Sequence, residues 1–128
     1  MTQLNPRLLK VTDYGLSDNP IWEDLEPNIK DAIVNYLLFG FEPGSFTTGL
    51  LANDLYRAIG SAHPGVLNNL KEIVTWVNNV LPSHCYGDYD TVTEWLQDAN
   101  GIRSSYVREV EKRYVWRQLN EKANDYSI

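Results

Sequence analysis

Apolar residues along this chain recur at helical spacing, and the gaps between the runs carry proline, glycine and capping residues. Ile29, Ile33, Tyr36 and Leu37 fall at i, i+4, i+7 and i+8, one face of a helix. Pro27 suits the first helical position and Gly40 the residue just past the end, so a helix is predicted between them. The turn from Gly40 to Phe46 then leads into a second helix, with Ser45 as its N-cap. That helix runs to about Ala58 and ends at Gly60, with Leu51, Leu55, Ala58 and Ile59 as its buried side. Pro64 opens a third helix and Pro82 limits it. Within it Leu67, Leu70, Val74, Val77 and Leu81 recur at 3, 4, 3 and 4, the strictest stripe in the sequence. Asp90 or Thr91 caps a fourth helix, with Thr91 to Glu94 reading as a capping box, and Asn100-Gly101 ends it. A fifth helix from about Ser104 to Lys122 carries Val107, Val110 and Tyr114. No alternating strand pattern competes.

These elements predict an all-α fold, a single compact domain over residues 1–128 with about five helices. Residues 1–20, with Pro6, Gly15 and an Asp18-Asn19-Pro20 turn signal, read as an extended N-terminal arm. Residues 21–100 form the helical core, and 101–128 a longer basic C-terminal helix and tail. The predicted core includes Ile33, Leu37, Leu51, Leu55, Leu70, Val74, Val77 and Trp95. On that reading Leu55→Ala or Val74→Asp unfolds or severely weakens the domain.

Charge adds an asymmetry. The 128 residues carry a net charge of −6. Residues 1–100 hold 13 acidic and 5 basic side chains, residues 101–128 hold 4 and 6. An acidic body disfavours stable binding to nucleic-acid phosphates. The single cysteine excludes an internal disulfide and suits a reducing compartment. The N-terminus shows no basic and apolar leader pattern, and the most apolar window, Ala32 to Phe41, is too short to span a bilayer. The expectation is a cytoplasmic protein with no membrane partner.

Catalytic and metal motifs fail on their chemistry. His84-Cys85 lacks a second base in register, and neither a second cysteine nor a helical His pair is present to hold a metal. Asp88-x-Asp90 begins like a calcium loop but has Thr93 where the turn glycine belongs. Gly44 and Gly49 have P-loop spacing, yet Leu50-Leu51 stand where Lys and Ser or Thr would hold phosphate and magnesium. No enzyme, cofactor or metal is expected.

Two weaker features remain. The Gly44-Ser45-Phe46 turn opens a helix, where free N–H groups favour an anion, although any well-capped helix start looks the same. On the fifth helix, Arg108 and Lys112 are four apart, as are Arg113 and Arg117, with Trp116 among them and Tyr106 upstream. Arginine beside an aromatic ring suits stacking and phosphate pairing, and equally a subunit contact. The exposed aromatics Tyr106 and Trp116 lead to the expectation of a homodimer or higher homo-oligomer.

The run Phe41-Glu42-Pro43-Gly44-Ser45-Phe46, then Leu51-x-Asn53-Asp54-Leu55, then Pro82-x-x-Cys85-Tyr86-Gly87 and Trp95, resembles a family of small uncharacterised proteins of tailed bacteriophages and prophages. It covers Glu26 to Trp95, about 70 of 128 residues, and many members have tryptophan where this chain has Tyr86. The resemblance implies a phage origin and a role in the infected bacterial host. Small phage proteins without catalytic constellations commonly act by binding. The leading expectation is capture of an anionic, nucleotide-like signalling molecule, an anti-defence sponge. Its ligand would meet Gly44, Ser45, Phe46, Asn53, Asp54, Arg57, Tyr86, Arg113, Trp116 and Arg117. The alternative is an acidic inhibitor that binds and blocks a host or defence protein.

Overall fold

Pro27 and Gly40 bound the first helix as their chemistry demands. In the computed structural model, which describes residues 15–113, α1 spans Pro27–Phe39 and Gly40 closes it at φ 67°. A Cβ at Gly40 would also collide with the Arg103 guanidinium. The remaining helices are α2 (Ser45–Leu51), α3 (Leu55–Ser61), α4 (Pro64–Asn68), α5 (Leu70–Val80) and α6 (Tyr89–Leu96). A last helix, α7, covers residues 102–113, and short 3-10 turns occupy Pro20–Asp24, Ser83–Cys85 and Ala99–Gly101. The fold is all-α, with no strand among the described residues.

Two predicted helices are each broken in two. Asn53 adopts a left-handed conformation at φ 59°, and Asp54 accepts the Arg57 N–H at 3.1 Å to start α3. Short polar side chains tolerate and stabilise such a corner, so the predicted helix from Ser45 to Ala58 splits there. Gly49 makes the corner tight: a Cβ on it would lie 2.8 Å from the Ala58 nitrogen. The cap of α2 is Gly44 rather than Ser45, which occupies the first helical position. The predicted third helix likewise breaks, at Asn69. The fourth begins earlier than expected, capped by Asp88, whose carboxylate accepts the Thr91 N–H at 2.7 Å.

The core is aromatic and its polar tips are paired. Tyr36, Trp76 and Trp95 are fully buried. Trp95 Nε1 donates to the Tyr36 carbonyl, and Trp76 Nε1 to the Leu16 carbonyl, both at 3.1 Å. Trp22 stacks obliquely on Trp76 at 5.4 Å between centroids. Leu16 itself is completely buried, so the end of the predicted extended arm is part of the core. Residues 1–14 of that arm lie outside the described residues. Asp98 caps α7 by accepting the N–H groups of Arg103 and Ser104 at 2.8 and 2.9 Å.

Five of the eight predicted core residues are buried and two are exposed. Ile33, Leu37, Leu51, Val77 and Trp95 are buried, Leu70 is half-buried, but Leu55 is 61% and Val74 39% exposed. The reason is helix phase. On α5 the buried positions are Ile73, Trp76 and Val77, so the Leu70–Val74 side turns away from the core. On α3 the corner at Asn53 rotates Leu55 and Ile59 outward and leaves only Ala58 buried. No described helix is long and apolar enough to cross a membrane.

Candidate functional site

The apolar faces that the core leaves uncovered meet. Leu55 and Ala58 of α3 oppose Leu70, Val74 and Val77 of α5 across a cleft of about 270 Å³. Tyr86 and Gly87 close one end, and the Gly87 N–H donates to the Leu51 carbonyl at 2.7 Å, which pins that loop to α2. Asn53, Asp54 and Asn78 supply the polar part of the lining. The surface around it is rich in exposed large apolar groups, with Tyr56 92%, Ile59 41% and Tyr89 43% exposed. Exposed apolar groups around a concave surface are a common character of binding regions in proteins.

A polar cluster stands beside the cleft, where α2, α3 and α6 begin. Arg57 Nε donates to Ser45 Oγ at 3.1 Å, and Ser61 Oγ donates to the same oxygen at 3.1 Å. The Tyr89 hydroxyl donates to Asp54, and Arg57 lies 5.9 Å from the Tyr89 ring. The Tyr89 hydroxyl, followed by the Arg57 N–H, holds the Asp54 carboxyl below the usual carboxylate range. The cluster therefore contains one anion and one cation already engaged with one another's neighbours.

The sequence-predicted site residues divide accordingly. Asn53, Asp54 and Tyr86 converge on the cleft. Ser45 and Arg57 come together, but in the polar cluster, where Ser45 already accepts two hydrogen bonds and retains only its own O–H to donate. Phe46 packs partly against the core. Neither Gly44 nor Arg113 lines the cleft, and Arg113 is exposed on α7. Trp116 and Arg117 lie outside the described residues. Tyr106 is not the exposed interface aromatic that was expected. It packs on Trp95 at 5.8 Å, and burial pushes its hydroxyl up to about 12.

Leu55, Leu70, Val74 and Asn78 were missed as site residues because the first three were read as core. One signal was available: the apolar residues of α5 fan over roughly 160° of its circumference, from Trp76 through Ile73 and Val77 to Leu70 and Val74. A helix so patterned needs two partners.

Cys85 is fully buried, and burial pushes its thiol up to about 12. Its carbonyl accepts the Tyr36 hydroxyl at 2.7 Å. At neutral pH it is a protonated core thiol, far from the thiolate a nucleophile requires. Among the described residues, no three His, Cys, Asp or Glu side chains converge as metal ligands.

Compared with protein-family models, with curated proteins and with solved structures, the chain matches none.

Proposed function

We propose that the protein is a non-enzymatic binding protein that docks on another protein through the cleft between α3 and α5. The observation that carries this reading is the cleft itself, whose walls Leu55, Leu70 and Val74 are apolar and partly open to solvent. Such a surface gains by burying apolar area against a partner, at roughly 25 cal/mol per Å² before the costs of association. The phage origin implied by the sequence resemblance makes the target a host or defence protein in the cytoplasm of an infected bacterium. An acidic, non-catalytic inhibitor fits that role.

Sequestration of an anionic nucleotide is favoured by one contact, the Arg57–Ser45 pair. It is opposed by the lining of the cleft, where among the described residues the only charged side chain is the Asp54 carboxylate. An anion placed there meets like charge and apolar walls.

Two parallel measurements test the proposal. Host lysate is passed over immobilised wild-type protein and over Val74→Asp, and both proteins are melted with cyclic and ADP-ribose-type nucleotides. The expected result is a stoichiometric host protein retained by wild type, lost with Val74→Asp, and no nucleotide-dependent rise in Tm. A nucleotide that raises Tm and is recovered unmodified on heating overturns the docking reading in favour of sequestration.

A further inference from the structure

The cleft is apolar along its walls and anionic at its edge. Of the described residues that line it, Asp54 is charged, and no lysine, arginine or histidine is among them. One Asp54 oxygen accepts the Arg57 N–H and the other the Tyr89 hydroxyl, which leaves acceptor capacity on both. The Arg57 guanidinium is drawn to Ser45 Oγ at 3.1 Å and toward the Tyr89 hydroxyl at 3.5 Å, on the side of α2 and α6. Along α5 the lining runs from Leu70 to Asn78. At the helical rise that is about 12 Å, or roughly two turns of a docked helix. The body around it carries 13 acidic against 5 basic side chains in residues 1–100, a field that steers cationic segments inward and repels acidic ones.

On the docking reading above, we propose that the occupant is a short basic amphipathic helix of a partner protein. Its apolar anchors, one turn apart, seat against Leu55, Leu70 and Val74, and a lysine or arginine beside them pairs with Asp54. The apolar contacts supply affinity, and the carboxylate supplies selection between partners. An acidic or neutral helix with the same anchors loses that pair, and the acidic helix also meets repulsion.

Labelled synthetic helices test this, with identical leucine anchors and either lysine or glutamine at the polar positions. Fluorescence anisotropy measures their binding to wild type, Asp54→Asn and Val74→Asp. Asparagine keeps the N-cap of α3, so Asp54→Asn is expected to fold, which circular dichroism checks. The expected result is a preference of about fivefold for the lysine helix, the worth of a partly exposed ion pair. Asp54→Asn removes most of that preference, and Val74→Asp weakens both helices. If both helices bind wild type equally and Val74→Asp weakens both, the role of Asp54 is overturned while docking in the cleft stands. A preference that survives Asp54→Asn overturns it too, by assigning selection to the general acidic field. Binding indifferent to Val74→Asp overturns the docking reading together with this one.

Discussion

The Tyr36 hydroxyl donates to the Cys85 carbonyl at 2.7 Å, a bond between residues 49 apart in the chain. It ties the last turn of α1 to the loop that carries Tyr86 and Gly87 to the end of the cleft. Core and site are thus joined by this buried hydrogen bond as well as by the Gly87–Leu51 bond.

Tyr36→Phe keeps the ring and removes the donor, leaving the Cys85 carbonyl unpaired inside the protein. A loss of about 1–3 kcal/mol is expected, read as a lower urea midpoint with an unchanged slope. The same variant should bind a cleft ligand more weakly, because the Tyr86 loop loses one of its anchors and keeps the Gly87–Leu51 bond to α2.

The phase of α5 makes a contrast at adjacent positions. Ile73→Ala empties a core site and should cost about 2–5 kcal/mol. Val74→Asp and Leu55→Ala, at exposed sites, should leave a folded helical protein with stability within about 1 kcal/mol of wild type. Thermal and urea melts of the three variants check this, and an unfolded Val74→Asp would return that stripe to the core.

Two glycines separate packing from backbone entropy. Gly49→Ala places a methyl 2.8 Å from the Ala58 nitrogen, backbone that cannot yield without opening the α2–α3 corner. It should destabilise by about 1–3 kcal/mol. Gly60→Ala, in α3, meets nothing within 4 Å and should stabilise by roughly 0.4–1 kcal/mol.

Alkaline pH acts through Cys85. Its thiol is pushed up to about 12 in the fold, whereas an unfolded thiol ionises near ~8.5. The unfolded state therefore sheds a proton first, so the contribution is fully present below ~8.5 and is lost as pH rises toward 12. Cys85→Ala should flatten the alkaline fall in the urea midpoint, whatever its effect at neutral pH. In the wild type, thiol reagents should label Cys85 only as fast as the protein opens.

Acid acts in the opposite sense through Asp98. The Ser104 hydroxyl and N–H, then the Arg103 N–H, hold its carboxyl below the ordinary range. Its stabilising effect is present above the usual carboxylate pKa and is lost as pH falls through the lowered value. Asp98→Asn, which tolerates the left-handed backbone at that position, should make the acid limb of the stability profile shallower.

Much of the fold was legible in the residues themselves. Proline at a helix start, glycine at a helix end and the 3,4 spacing of apolar groups are local, so α1 came out with its boundaries, and the all-α class followed. Asn53-Asp54 and Asn69 were also local signals, but apolar spacing ran through them and suggested continuous helices. A corner changes which residues face inward without changing the sequence pattern on either side. Of the site, Asn53 and Asp54 stand out in the sequence as polar residues of the predicted second helix and Tyr86 as an aromatic of the nearby loop, and all three line the cleft.

Tertiary packing decided the rest. Hydrophobicity at Leu55, Leu70 and Val74 establishes that these side chains prefer an apolar neighbour, yet not whether this chain provides one. That depends on the order in which α5 is covered: Trp22, Leu16 and the aromatic core take its Ile73–Trp76 side, and the corner at Asn53 holds α3 at the width of a cleft from the other. A core position and a binding surface have the same residue types and spacing. They differ only in which neighbour fills the space, and that is a property of the assembled fold.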